Sequence, residues 1–339
     1  MKRPSPRSAL AAVCGALTFA CAALPEPSAN AREVVRGPLA AQSLQPLAWT
    51  LGDLRPRRAV ATPRGEVDVS IASAYASIFR FDDTDHSAVT IDGELWHTAL
   101  GVRFGIAPGA DLEIEVPVLY ASRGFLDGFV DGWHDFFALP YGRRDLRPAG
   151  EFEMTLESDG REIWKLESDG PMLGDVPVTW TQELFATPTR ALAVRAMLEL
   201  PTGSENRGAS NGEFDWGVGV VAEQHAERWS FFGHADHLHA GEPSSFEGSG
   251  VHLRDRFELA LGGEYRWSDR VSLLSTLEWT APFTRDLDLR VINREILDFG
   301  LGAAWDVGER SRLALSFHED LVSNTGADFA VLVGFTTRL

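Results

Sequence analysis

The sequence predicts an all-β fold: a transmembrane, antiparallel, up-and-down β-barrel of twelve strands. Three observations predict it. They are an N-terminal export signal, apolar–polar alternation with a period of two from Gly65 onward, and connections that alternate between tight turns and long loops.

The export signal comes first along the chain. Lys2, Arg3 and Arg7 form a positive start, Ala9 to Leu24 is apolar, and Pro25 and Pro27 end that run before Ala29-Asn30-Ala31. Small residues in an A-x-A arrangement are the substrate of a signal peptidase, so residues 1–31 are expected to be a signal peptide and Arg32 the first mature residue. Both cysteines, Cys14 and Cys21, lie inside it. The exported fold therefore closes without disulfides. Phe19, two residues before Cys21, is bulky where a lipoprotein signal needs small residues, which argues against acylation there.

The formal charge of the chain is −18. An anionic surface repels a phosphate backbone, so nucleic acid is excluded as a partner. No stretch after the signal reaches the roughly 18 apolar residues of a membrane helix. Strands of a barrel escape that test, because lipid-facing and lumen-facing residues alternate and average out.

The alternation is written along the whole mature chain. Val67, Val69, Ile71 and Tyr75 fall on one face opposite Asp68, Ser70, Ala72 and Ala74. Trp96, Leu100, Val102 and Phe104 oppose His97, Gly101 and Arg103, and Leu112, Ile114 and Val116 oppose Glu113 and Glu115. Phe257, Leu259 and Leu261 oppose Arg256, Glu258 and Gly262, and the last strand sets Phe329, Val331, Val333 and Phe335 against Asp328 and Gly334. Strands are predicted to start near Gly65, Leu95, Ala110, Asp175, Arg190, Asp215, Arg228, Asp255, Arg270, Glu295, Arg310 and Ala327. A hairpin over 151–157 and 161–167, turning at Ser158-Asp159-Gly160, either raises the count to fourteen or extends the wall beyond the membrane.

Tight turns are expected at 107–109, 187–189, 225–227, 268–269 and 307–309, and longer joins at 82–93, 123–173, 201–214, 240–254 and 282–293. Short turns of such barrels are periplasmic, which puts both termini in the periplasm. Trp229, Trp267 and Trp305 sit beside short turns, whereas Trp96, Trp216, Trp279 and Tyr120 sit at long-loop ends, as two interfacial girdles require. A secreted β-sandwich also alternates, but it gathers its aromatics in the core.

Two segments lie outside this pattern. Residues 32–64 lack a period and read as either an irregular periplasmic tail or a lumen plug, with the barrel over 65–339. In the external loop 123–150, Phe125, Phe129, Trp133 and Phe137 recur every four residues, and Asp127, Asp131 and Asp135 recur opposite them. That spacing predicts one amphipathic helix.

The alternation places Glu113, Glu115, Arg195, Glu199, Arg256, Glu258, Glu264, Arg266, Glu278, Asp298 and Arg312 on the lumen face. Two readings stay open for them. They are ion pairs filling a narrow interior, or the lining of a pore that selects by charge. His234, Asp236, His237 and His239 are split by a strand two to each face, short of a metal-ligand set. His318 with Ser316 and Asp320 carries no signature of a rim lipid hydrolase. No cofactor motif, metal motif or catalytic site is identified, and no enzymatic activity is expected.

The chain also resembles a family of bacterial outer-membrane barrel proteins grouped as domain of unknown function 3187. The residues that carry the resemblance are Gly37-Pro38-Leu39, Gln45-Pro46-Leu47, Gly124 to Phe129 running on to Trp133-His134-Asp135, Leu139-Pro140, Arg147-Pro148, Gly174-Asp175, Leu200 to Gly203 and Glu319-Asp320-Leu321. The loop motif is the most specific part, and Trp133 stands where the family often has Phe. The resemblance covers nearly all of the mature chain and implies architecture and location, the outer membrane of a Gram-negative bacterium, with no activity assigned to any residue. The expected partners are outer-membrane lipid, the periplasmic export and barrel-assembly machinery, and a small solute. The expected function is a channel or transporter for small solutes. The alternatives are a structural or surface-interaction barrel with a blocked lumen and a lipid-modifying enzyme at the rim.

Overall fold

The computed structural model describes residues 35–40, 43–126, 128, 132, 150–284, 286–321 and 326–339. The expected signal peptide over 1–31 lies outside them. Among the described residues fifteen strands and three 3-10 turns are formed.

Twelve strands make the wall: β1 (Val67–Asp83), β2 (Ser87–Ala107), β3 (Ala110–Ser122), β7 (Val176–Ala186), β8 (Arg190–Leu200), β9 (Asp215–Ala226), β10 (Trp229–His239), β11 (Arg256–Arg266), β12 (Val271–Thr280), β13 (Ile296–Asp306), β14 (Ser311–Asp320) and β15 (Phe329–Arg338). Each pairs antiparallel with its neighbour, and β1 pairs with β15 from Asp68↔Arg338 to Ser77↔Phe329. That pairing closes the sheet, so no edge is left unpaired in lipid. The observed starts lie within a few residues of those expected for eleven strands. The exception is β2, which begins at Ser87 instead of near Leu95.

The reason is instructive. Segment 82–93, read as a long loop, is strand on either side of a turn at 84–86: β1 and β2 pair without a break from Val67↔Phe104 to Asp83↔Ala88. This ribbon rises past the rest of the rim and is completed by the hairpin of β4 (Glu153–Ser158) and β5 (Arg161–Lys165), with β4 pairing to residues 87–92 of β2. Val89, Ile91, Met154 and Leu156 are buried between them and the external loops. The hairpin therefore extends the wall at one rim, and the barrel count stays at twelve. The short β6 (Met172–Leu173) lies against β3.

Faces follow the period of two. Leu100, Phe257, Leu261, Leu301 and Val333 are exposed on the outside, a belt that lipid covers. Trp229, Tyr265 and Trp267 cluster at the short-turn rim, with ring centroids of Trp229 and Tyr265 4.8 Å apart. Trp96 and Tyr75 meet edge-on at the long-loop rim, 5.8 Å apart.

The amphipathic helix expected over the 123–150 loop is not borne out. Gly124 turns the chain at φ 68°, and the amides of Phe125 and Leu126 donate to the Glu94 carboxylate. Phe125 is exposed. Asp127, Phe129, Asp131, Trp133, Asp135 and Phe137 lie outside the described residues.

The arrangement gives a labelling prediction. Single cysteines at Asn206 and Ser245 on the long-loop rim should react with an impermeant maleimide on intact cells. Cysteines at Gly109 and Asp269 should stay unlabelled until the cells are broken. The reverse pattern would mean that the barrel is inserted the other way up.

Candidate functional site: a lumen filled by the N-terminal segment

Residues 35–40 and 43–62 run through the barrel. Every described residue among them except Ala40 is buried or half-buried. The segment enters at the short-turn rim, where the Glu264 carboxylate accepts the amides of Arg36 at 3.0 Å and Gly37 at 2.9 Å, and the Ser272 hydroxyl at 2.6 Å. It climbs to the long-loop rim, turns through the 3-10 turn Ala48–Thr50, and descends to join β1. On the way down the Asp215 carboxylate accepts the Gly52 amide at 2.7 Å, Glu223 that of Ala59 at 3.2 Å, Glu183 that of Ala61 at 2.7 Å and Asp111 that of Thr62 at 2.9 Å.

A chain without secondary structure must still satisfy its buried amides, and here wall carboxylates do it. Close approach is what makes this possible. A Cβ on Gly37 would come within 2.7 Å of Leu274, and one on Gly52 within 2.8 Å of Met197.

Charge is matched across the same interface. The segment 35–64 carries five arginines and a single acid, Asp53. Arg55 meets Glu115 at 3.1 Å, Arg57 meets Asp111 at 3.2 Å and Glu113 at 3.1 Å, and Arg58 meets Glu223 at 2.7 Å. Arg36 pairs with Asp306. Wall arginines reciprocate to plug carbonyls: Arg195 donates to Leu54 at 2.8 Å and to Arg55, Arg312 to Val35 at 3.1 Å, and Arg256 to Gly52.

The expected lumen residues fall as follows. Glu113, Glu115, Arg195, Arg256, Glu264 and Arg312 touch the plug. Glu199 is buried beside Gly52, and Glu258 pairs with Arg256 at 3.0 Å. Glu278 and Asp298 are direct cross-strand partners on the inner face. Arg266 stays at the short-turn rim, donating to the Glu227 carbonyl at 2.9 Å.

Sequence reading passed over Asp111, Glu183, Asp215, Glu223 and Asp306 as plug anchors. The available signal was the opposite sign of the arginine-rich tail and the acid-rich inner face.

At the long-loop rim the contact becomes apolar. Leu44, Leu47, Trp49 and Leu51 join a buried cluster with Ile78, Ile91, Leu95, Phe246, Phe283 and Ile292. Trp49 donates its Nε1 to the Ser43 carbonyl at 2.7 Å and lies against His97.

The histidine pairs are separated by the wall, as their spacing requires. His234 and Asp236 are buried inside with Arg195, which bonds Asp236 at 2.6 Å and His234 at 2.8 Å. His237 and His239 lie outside beside Trp216 and Asp255. The bond from His239 holds the Asp255 carboxyl below its ordinary range. Among the described residues no three acids, histidines or cysteines group as ligands for a metal ion. Ser316 and His318 bond to each other at 2.9 Å, both buried.

A plugged twelve-strand barrel narrows the field of comparison, and the family profile decides within it. It matches residues 13–339. The chain belongs to the family described as protein of unknown function (DUF3187). This DUF3187 chain is similar to the solved structure of an outer-membrane channel from Pseudomonas putida F1, at 15% identity and a TM-score of 0.57, over 85% of this chain and 100% of that one. It is also similar to the NanC porin at 8% identity and a TM-score of 0.46, over 80% of this chain and 100% of the porin. The likeness to the Pseudomonas channel is one of fold. No curated protein matches the DUF3187 chain.

Proposed function

We propose that the chain is a Gram-negative outer-membrane channel for small solutes, closed at rest by its own N-terminal segment. It reaches that membrane through a signal peptide cleaved after Ala31. One observation carries the reading: along most of the lumen the plug is held by ion pairs and amide–carboxylate bonds. Water can replace such contacts one at a time, because each bond exchanged for hydration changes stability by only about 0.5–1.5 kcal/mol, or about 1.5–3 kcal/mol where a charge takes part. A lumen packed with aliphatic side chains would have no hydrated state to return to. A wall rich in carboxylates, once wet, concentrates cations, and that preference weakens as salt screens it.

A second reading, a structural barrel with a permanently blocked lumen, draws on the apolar packing of Leu44, Leu47, Trp49 and Leu51 at the long-loop rim. Planar-bilayer recordings separate the two. The channel reading expects brief cation-preferring openings from the purified protein. It also expects them to vanish in Gly52→Cys/Asp215→Cys under oxidation and return on reduction. A Cβ on Gly52 would lie 2.9 Å from that of Asp215, close to the roughly 3.5–4.5 Å span of a disulfide. Silent bilayers with both redox states would leave the structural reading standing.

A further inference from the structure

At the long-loop rim lies a cavity of about 460 Å³ that neither the wall nor the plug fills. We propose that it is a binding site for a small organic cation with an apolar or aromatic body, and that it is the place where the channel meets its solute; that last step rests on the channel reading above.

The cavity is built rather than left over. Its sides are β5, the 201–214 loop and the 240–255 loop, and its floor is the plug at Leu47, Thr50 and Leu51. The sides are tied to one another before any ligand arrives. Trp164 of β5 donates its Nε1 to the Gly208 carbonyl at 3.1 Å. Arg161 at the start of β5 donates to the carbonyls of Glu247 at 2.8 Å and Ser245 at 3.2 Å. A cavity held open by contacts among its own walls loses little entropy when it is occupied. Its volume falls in the range of about 300–1,000 Å³ typical of small-molecule sites.

The chemistry of the lining selects the class. Trp164, Phe246 and Leu51 border the cavity, and of the three Trp164 shows most of itself there, at 8% exposure against 2% for Phe246 and 3% for Leu51. Glu162, Glu167 and Glu205 give three carboxylates; Lys165 lines the cavity with them and Arg207 meets Glu167 at 3.2 Å, which leaves Glu205 and the distantly paired Glu162 as its negative groups. Lys165 stands 3.9 Å from Glu162 and so neutralises it weakly. Glu205 has a hydroxyl neighbour, Ser244 at 3.2 Å. An acid-lined cavity on a chain of charge −18 repels anions and attracts cations. Its aromatic surface favours a cation with an apolar body over a bare alkali ion.

The floor gives occupancy a consequence. Leu51 is adjacent to Gly52, whose amide is held by Asp215 and whose carbonyl is held by Arg256. A ligand resting on Thr50 and Leu51 presses on the apex of the plug, one residue from that clamp.

Three probes of equal size and different charge test the site: benzylammonium, benzyl alcohol and benzoate, titrated calorimetrically into the full chain in detergent. Benzylammonium is expected to bind, benzyl alcohol to bind more weakly, and benzoate not to bind. Glu162→Gln and Glu205→Gln, both exposed at the rim, should each weaken benzylammonium about two- to fivefold and leave benzyl alcohol unchanged. Asn206→Cys carrying a maleimide adduct should lose both ligands, because it fills the cavity from an exposed position without touching the fold. Benzoate binding as well as benzylammonium would overturn the proposal, as would no binding by any probe or full binding to the blocked protein. Binding with silent bilayers keeps the site and removes the channel, whereas conductance without binding removes the site alone.

Discussion

Deleting residues 35–62 is expected to turn rare openings into continuous conductance. The wall does not depend on the plug for closure, since β1 pairs with β15 and every neighbouring pair along the sheet is hydrogen-bonded. What the plug removes is space. Interiors of eight-stranded barrels are filled by their own side chains, whereas those of sixteen or more strands leave a water channel. At twelve strands the outcome depends on what occupies the middle, and here that is the plug. A graded version of the same result comes from Glu264→Ala. That carboxylate accepts two plug amides and the Ser272 hydroxyl. Hydrogen bonds to a charged group contribute about 1.5–3 kcal/mol. The two amide bonds together are then worth about 3–6 kcal/mol, and at about 1.4 kcal/mol per factor of ten the open probability should rise at least about a hundredfold. Single-channel recording measures it, and growth sensitivity to a large antibiotic normally excluded by the outer membrane reports it in cells. A deletion variant that folds and stays as quiet as the full chain would show that the wall closes without the plug.

The second large effect concerns Arg195. Its guanidinium is fully buried, as is the carboxylate of Asp236, which it meets through Nε at 3.0 Å and Nη2 at 2.6 Å. It also bonds His234 and two plug carbonyls. Arg195→Met leaves Asp236 buried without its counter-charge, and breaking such a pair from one side costs about 3–5 kcal/mol. The expected result is a large fall in the temperature at which the folded gel band converts to the unfolded one. Arg195→Met/Asp236→Leu removes both charges and should recover most of that loss, because an apolar pair of similar volume is often neutral to stability. If the double variant is as weak as the single, the damage lies in the lost plug contacts. If the single variant is unaffected, the pair is not the anchor its geometry describes.

The wall was legible because a period of two survives any tertiary arrangement. Phe257 to Leu261 and Glu258 to Glu264 sort to opposite faces whatever the neighbouring strand is. Segment 82–93 was misread even though Val89 and Ile91 do alternate with Thr90 and Asp92. The strand there is stabilised by β4, more than sixty positions away, and length rules for spanning strands do not extend above the rim. The plug was harder. Its order comes from contacts such as Arg36 with Glu264 and Gly52 with Asp215, separated by 228 and 163 positions. No local period records such contacts, so tail and plug could not be told apart. The loop helix failed for a different reason. Its spacing includes Gly124, which takes φ 68° and bends the chain out of the helical region at the start of the loop.

The plug leaves the barrel by the rim at which it entered. A segment with both limbs on one side is a loop pushed into a tube, and neither limb has to be threaded through as a free end. The barrel can therefore close its β1–β15 seam first and receive the plug afterwards, and can later lose it, with no wall bond broken at either step. The direction of travel is fixed as well. Trp49 and its neighbours at the tip must pass the charged middle of the lumen in both directions, so insertion and withdrawal share one slow stage, the transit of an apolar tip through a polar bore.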